Sequence, residues 1–113
     1  MDPQVIVVAE VHGLGGTQDE LRALLNEVAD GAHGEPGCLS FRVFAEDDPG
    51  EFVTLESWSS EAALRAHYDS AHYRHYRESV GLLLARPSDV VVHHLARTVR
   101  ALDPNPPDPS KLG

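Results

Sequence analysis

The chain has 113 residues, 42% of them hydrophobic and 24% charged, which suits one domain with one core and excludes two. Eighteen acidic against nine basic residues leave a formal net charge of −9, and Lys111 is the only lysine. Such a surface repels phosphate backbones and anionic bilayers, so neither nucleic acid nor a membrane is an expected partner. Cys38 is the only cysteine, which excludes an internal disulfide and any CxxC motif. No basic leader and no apolar run of membrane-span length is present, so the expected location is the cytoplasm.

Gln4 to His12 is rich in β-branched residues and predicts a first strand. Gly13-Leu-Gly-Gly16 breaks it. Thr17-Gln-Asp-Glu20 has the pattern of a capping box, with Thr17 as N-cap and Glu20 reaching back. Leu21, Leu24, Leu25 and Val28 then recur at helical spacing, predicting a helix from Gln18 to about Ala32. Cys38 to Ala45 predicts a second strand with Leu39, Phe41, Val43 and Ala45 on one face. Glu46-Asp-Asp-Pro-Gly50 is a turn, and Glu51 to Trp58 returns as a third strand with Phe52, Thr54, Glu56 and Trp58 sharing a face.

Ser59 or Ser60 caps a short helix through about Tyr68, and Asp69-Ser70 restarts a helix that runs to about Ala85. Arg86-Pro-Ser88 stops it, and Asp89 to Val99 predicts the fourth strand. Residues 1–101 thus form the domain, and the proline-rich residues 102–113 form an extended tail. The order β-α-β-β-α-β is that of an α+β, ferredoxin-like split βαβ fold with an antiparallel sheet. Its helices cover one sheet face, yet the strands are apolar on both: Val5, Val7, Ala9 and Val11 alternate with Ile6 and Val8. The second face therefore calls for a partner, and a homodimer joined sheet to sheet is the economical one.

The chemistry-bearing residues gather around the restarted helix. His67 and His72 flank the restart, and His72, His75 and Tyr76 share a face at i, i+3, i+4 spacing. A neutral imidazole there could serve as a base at a pocket mouth, or simply as a cap or surface group. His72 and His75, with Asp69 or Glu78, could share a divalent ion, but nothing in the sequence fixes that set and no metal is assigned. Glu56 beside Trp58 needs a partner, and Arg42 across the hairpin is the expected one. His93 and His94 point to opposite faces, with at least one buried or at a dimer seam. His12 and His33 carry no expected function, and Cys38 is expected to be inert.

Glu35-Pro-Gly-Cys38, Phe52-Val-Thr-Leu-Glu56-Ser-Trp58 and Leu64-Arg-Ala-His67-Tyr-Asp-Ser-Ala-His72 together resemble the antibiotic biosynthesis monooxygenase (ABM) family over roughly residues 4 to 97. The resemblance implies a dimeric α/β barrel of ferredoxin-like protomers. It implies oxidation of a small aromatic phenol, anthrone or quinol to a quinone by O2, with no metal or flavin cofactor. By position it puts forward His72 and His67 as catalytic residues and Trp58 and Glu56 as pocket residues. Tyr73, Tyr76 and Phe41 join the pocket by spacing and strand alternation. The haem-degrading branch is disfavoured, because the first strand has no asparagine and His67 stands where that branch has tryptophan. A non-catalytic module that binds a small aromatic ligand, or an isomerase-type member, is the alternative function.

Overall fold

A computed structural model describes residues 3–98. The elements run β1 (Val5–His12), α1 (Gln18–His33), β2 (Cys38–Ala45), β3 (Glu51–Trp58), α2 (Glu61–Tyr68), α3 (Ala71–Val80), a 3-10 turn (Gly81–Leu83) and β4 (Asp89–His94). The four strands form one antiparallel sheet in the order β2-β3-β1-β4. This is the α+β, ferredoxin-like arrangement expected from the sequence.

Period-two alternation sets the inward face. Val5, Val7, Ala9 and Val11 of β1 and Phe52, Thr54, Glu56 and Trp58 of β3 are all buried beneath the helices. The helix stripe Leu21, Leu24, Leu25, Val28 and Ala32 closes on them. The core has two lobes. One surrounds Trp58, Phe41 and Leu64, and the other surrounds Phe52, Leu21 and Val80.

Several expectations are corrected. The Thr17 hydroxyl does not cap α1 but donates to the carbonyls of Leu14 (2.6 Å) and Leu83 (3.1 Å), tying the glycine loop to the turn after α3. A bulge between Cys38 and Ser40 inserts an extra residue in β2, so Leu39 leaves the face of Phe41 and is exposed. The last helix ends at Val80 and β4 at His94, earlier than the sequence pattern predicts. His93 and His94 are both exposed within the protomer. The expected tail at residues 102–113 lies outside the described residues.

Ser60 caps α2 by accepting from Ala63 N–H (3.1 Å), and Ser70 caps α3 by accepting from Tyr73 N–H (3.2 Å). The Ser70 hydroxyl also donates to the His67 carbonyl at 2.6 Å, which fixes the angle between the two helices. The outward sheet face is apolar and uncovered in the protomer: Phe44, Leu55 and Val91 are each 40% or more exposed.

Candidate active site

A cavity of about 240 Å³ lies between the sheet and α1 and α3, at the seam of the two core lobes. Val7, Ala9, Val11, Leu25 and Val28 make its apolar floor and wall. Glu56, His67, Tyr68, Tyr73, Tyr76 and Arg77 bring the polar groups. Its size falls just below the usual range of ligand cavities, about 300–1,000 Å³, and suits one small molecule.

His67 is the centre of the arrangement. It is 2% exposed, and its ring lies 4.6 Å from Trp58, 5.0 Å from Tyr73 and 5.8 Å from Phe41, centroid to centroid. Its Nδ1 is 2.8 Å from Glu35 Oε2. A carboxylate accepts, so Nδ1 carries the proton and donates it to Glu35. Nε2 has no hydrogen-bond partner among the described residues, and it belongs to a ring that lines the cavity. Burial pulls the imidazole below its ordinary pKa, against the opposing pull of Glu35; the neighbouring His72 lowers it further. The result is a neutral ring in a set tautomer whose Nε2 keeps a free lone pair.

Glu35 reaches that position through a local turn. Its carbonyl accepts from Cys38 N–H at 3.1 Å, with Pro36 and Gly37 in the two central places that favour such a turn. Gly37 presses against α2: a Cβ there would fall 2.2 Å from the Ala63 Cβ, so the backbone approach that brings Glu35 to His67 requires glycine.

Glu56 is buried inside the same wall. Its Oε1 accepts from Trp58 Nε1–H and its Oε2 from the Thr54 hydroxyl, both at 3.1 Å. Arg42, the expected partner, pairs with Leu55 in the ladder, points outward and lies over the Phe44 ring. Burial raises the Glu56 carboxyl from 4.5 to about 7; the two hydrogen bonds restrain the rise and the Glu35 charge adds to it. Burial likewise lifts Tyr68 and Tyr76 to about 12, and raises Tyr73 while Arg77 opposes. The tyrosines therefore remain O–H donors at neutral pH.

The Glu56 shift has a testable sign. The unfolded chain ionises this group near 4.5 and the folded chain near 7, so its contribution to stability is full below the lower value and is lost as pH rises through the higher one. The loss is about 3 kcal/mol. His12 is also raised, by its bond to Glu51, and gives a slope of the same sign. The difference between wild type and Glu56→Gln isolates Glu56. Melting temperatures from pH 5 to 8 should fall more steeply in wild type, and parallel curves would disprove the assignment.

The structure brings together His67, Glu56, Tyr73, Tyr76 and Phe41 in the cavity wall. Trp58 is not in the wall; it lies fully buried behind His67 and Glu56. His72 is not in the wall either. It packs against α1, with Nε2 3.3 Å from Glu35 Oε1. His75 is separated from it functionally, being exposed and 3.6 Å from Glu27. Sequence reasoning gave Glu35, Tyr68 and Arg77 no role. Only the Glu35-Pro-Gly-Cys38 motif could have flagged Glu35.

Fold and site together define a ferredoxin-like α+β domain whose partly open cavity presents a carboxylate-oriented imidazole. The chain belongs to the antibiotic biosynthesis monooxygenase family, whose profile it matches over residues 4–79. Rv0793 of Mycobacterium tuberculosis, provisionally named a monooxygenase, is 38% identical over 92 residues, covering 81% of this chain and 91% of that one. The solved structure of Rv0793 superposes with a TM-score of 0.78 over 88% of this chain and 99% of that chain. YcnE of Bacillus subtilis, also provisionally named a monooxygenase, is 28% identical over 75 residues, covering 66% of this chain and 79% of its own. A Nitrosomonas europaea structure provisionally titled an antibiotic biosynthesis monooxygenase shares the fold at 21% identity, with a TM-score of 0.78 over 85% of this chain and 93% of that chain. Among the described residues no helix is long and apolar enough to cross a membrane.

Proposed function

We propose that the protein is a monooxygenase that oxidises a small phenol, anthrone or quinol to a quinone with O2, drawing the electrons from the substrate rather than from a metal or flavin. The observation that carries this reading is the Glu35–His67 pair at the edge of an apolar, tyrosine-lined cavity. His67 Nε2 takes the phenolic proton, and the electron-rich phenolate passes electrons to O2. For a phenol, one oxygen atom becomes the new carbonyl and the other leaves as water, a balanced four-electron oxidation. A quinol loses two electrons and two protons to O2, which leaves as hydrogen peroxide; that outcome inserts no oxygen and is the oxidase counterpart of the same base-assisted electron transfer. Tyr73 and Tyr76 donate to the developing oxyanion, and the apolar wall keeps water away from the reduced oxygen. His72, which the resemblance favours as base, stands outside the cavity wall with its Nε2 3.3 Å from the second oxygen of Glu35 and not hydrogen-bonded to it.

The test is O2 consumption by metal-stripped protein against a panel of anthrones, naphthols and benzoquinols, with a no-protein control for autoxidation. Uptake with quinone formation above the control is the expected result. Saturable binding without uptake would transfer the protein to the ligand-binding alternative.

The same reading includes a homodimer. The outward face exposing Phe44, Leu55 and Val91 is the surface a second copy would cover. Sedimentation as a monomer at micromolar concentration would refute it.

A further inference from the structure

We propose that Glu35, His67 and His72 form a binding site for one divalent first-row transition-metal ion of the zinc type, on the side of His67 away from the cavity. The three come from three elements: the α1–β2 turn, α2 and α3. Glu35 Oε2 is 2.8 Å from His67 Nδ1, and Glu35 Oε1 is 3.3 Å from His72 Nε2. One ligand atom from each residue lies within 4.8 Å of the other two. Metal–ligand bonds of about 2.0–2.2 Å place neighbouring ligand atoms about 3–3.5 Å apart, so the trio closes on an ion with small side-chain adjustments.

His72 supplies the second, independent observation. Its Nε2 is shut off from solvent, yet it makes no hydrogen bond among the described residues, the 3.3 Å approach to Glu35 being out of line for one. A buried imidazole nitrogen without a donor or acceptor is a costly arrangement that a cation would relieve. The ring is also held in place. A Cβ on Gly31 of α1 would fall 2.5 Å from the His72 Cγ, so glycine at this helix position makes room for the ring to lie on the helix backbone. Two imidazoles and one carboxylate suit zinc, cobalt, nickel or copper and not magnesium or calcium.

The one other comparable grouping among the described residues, Glu10, His12 and Asp89, is a poorer host. Its two carboxylates, Glu10 and Asp89, are exposed, and the Arg86 guanidinium stands 3.2 Å from His12 Nδ1, repelling a cation.

An ion on Nδ1 takes the place of its proton, and a neutral His67 then carries its proton on Nε2. Nε2 of this cavity-lining ring changes from acceptor to donor, so metal occupancy and service as a base exclude one another. The binding itself does not depend on the monooxygenase reading. Its test is spectroscopic. The metal-stripped full chain is titrated with Co²⁺ while visible d–d absorption is followed, and Zn²⁺ is then added in competition. One Co²⁺ per chain, nitrogen-ligand bands and displacement by Zn²⁺ are expected. His72→Ala should weaken binding by at least about tenfold, since even partners that only support a ligand are worth 10–100-fold. Glu35→Gln repeats the test should that variant fail to fold. His12→Ala and His75→Ala should bind like wild type. Absence of d–d bands at millimolar Co²⁺, full binding by both His72→Ala and Glu35→Gln, or loss of binding in His12→Ala would each overturn the proposal.

Discussion

His67→Gln is expected to lower quinone formation by about 10²–10⁴-fold, the usual contribution of a positioned general base. Glutamine keeps much of the imidazole's length and can still donate to Glu35 Oε2, so the Trp58–Tyr73 packing around position 67 changes little. It lacks the one feature the reaction uses, a basic lone pair on the cavity-lining ring. The loss should fall on kcat, with KM for the phenol nearly unchanged, because the tyrosines and the apolar wall still bind the ring. The pH profile distinguishes this from a structural effect. Wild-type activity should persist into mildly acidic solution, because burial depresses the imidazole pKa, and the residual activity of the variant should lack that limb. A His67→Gln rate within tenfold of wild type would remove His67 from the chemistry.

Trp58→Ala is expected to cost about 3–5 kcal/mol, the range for emptying a buried aromatic site. Trp58 is fully buried, and it joins three things at once: the Phe41–Leu64 lobe, the face of His67 and Glu56 Oε1. A domain of this kind has about 5–15 kcal/mol in total, so the loss takes much of its margin. Trp58→Phe separates packing from hydrogen bonding. It retains most of the ring volume and removes the indole N–H, a hydrogen bond worth about 0.5–1.5 kcal/mol at pH 6, where Glu56 is largely protonated. The indole bond lowers the Glu56 pKa, so its loss should move the Glu56 titration further upward. Urea unfolding at pH 6 measures both variants. A cost below about 1 kcal/mol for Trp58→Ala would mean that the site collapses freely around the cavity.

The strands and helices were legible because each has a single dominant period. The alternation Val5-Val7-Ala9-Val11 and the stripe Leu21-Leu24-Leu25-Val28 leave one way to face the core. The errors arise where a local competitor wins. Thr17 finds loop carbonyls before a helix N–H, and the Cys38–Ser40 bulge defeats strict alternation at Leu39. Glu56 turns to Trp58 and Thr54 on its own strand, since Arg42 belongs to the opposite face. Within the site, Tyr73 and Tyr76 follow from helical spacing, and His67 follows from the motif resemblance. The partnership of Glu35 with His67 spans 32 residues and is set by the depth at which Gly37 lets the turn meet α2. The break between α2 and α3 fixes the rotation of α3, and that rotation sends Tyr73 and Tyr76 to the cavity and His72 to α1.

The pair Glu35–His67 comes from the α1–β2 turn and α2, whereas α3 adds Tyr76, Arg77 and Val80 and the edge strand β4 adds Val90 to the cavity lining. Part of the molecular fit is thus carried by segments that do not supply the Glu35–His67 pair. Drift in α3 and β4 can reshape what is admitted while leaving the proton-handling apparatus intact. Such a division lets one scaffold change what its cavity admits while the Glu35–His67 pair stays as it is.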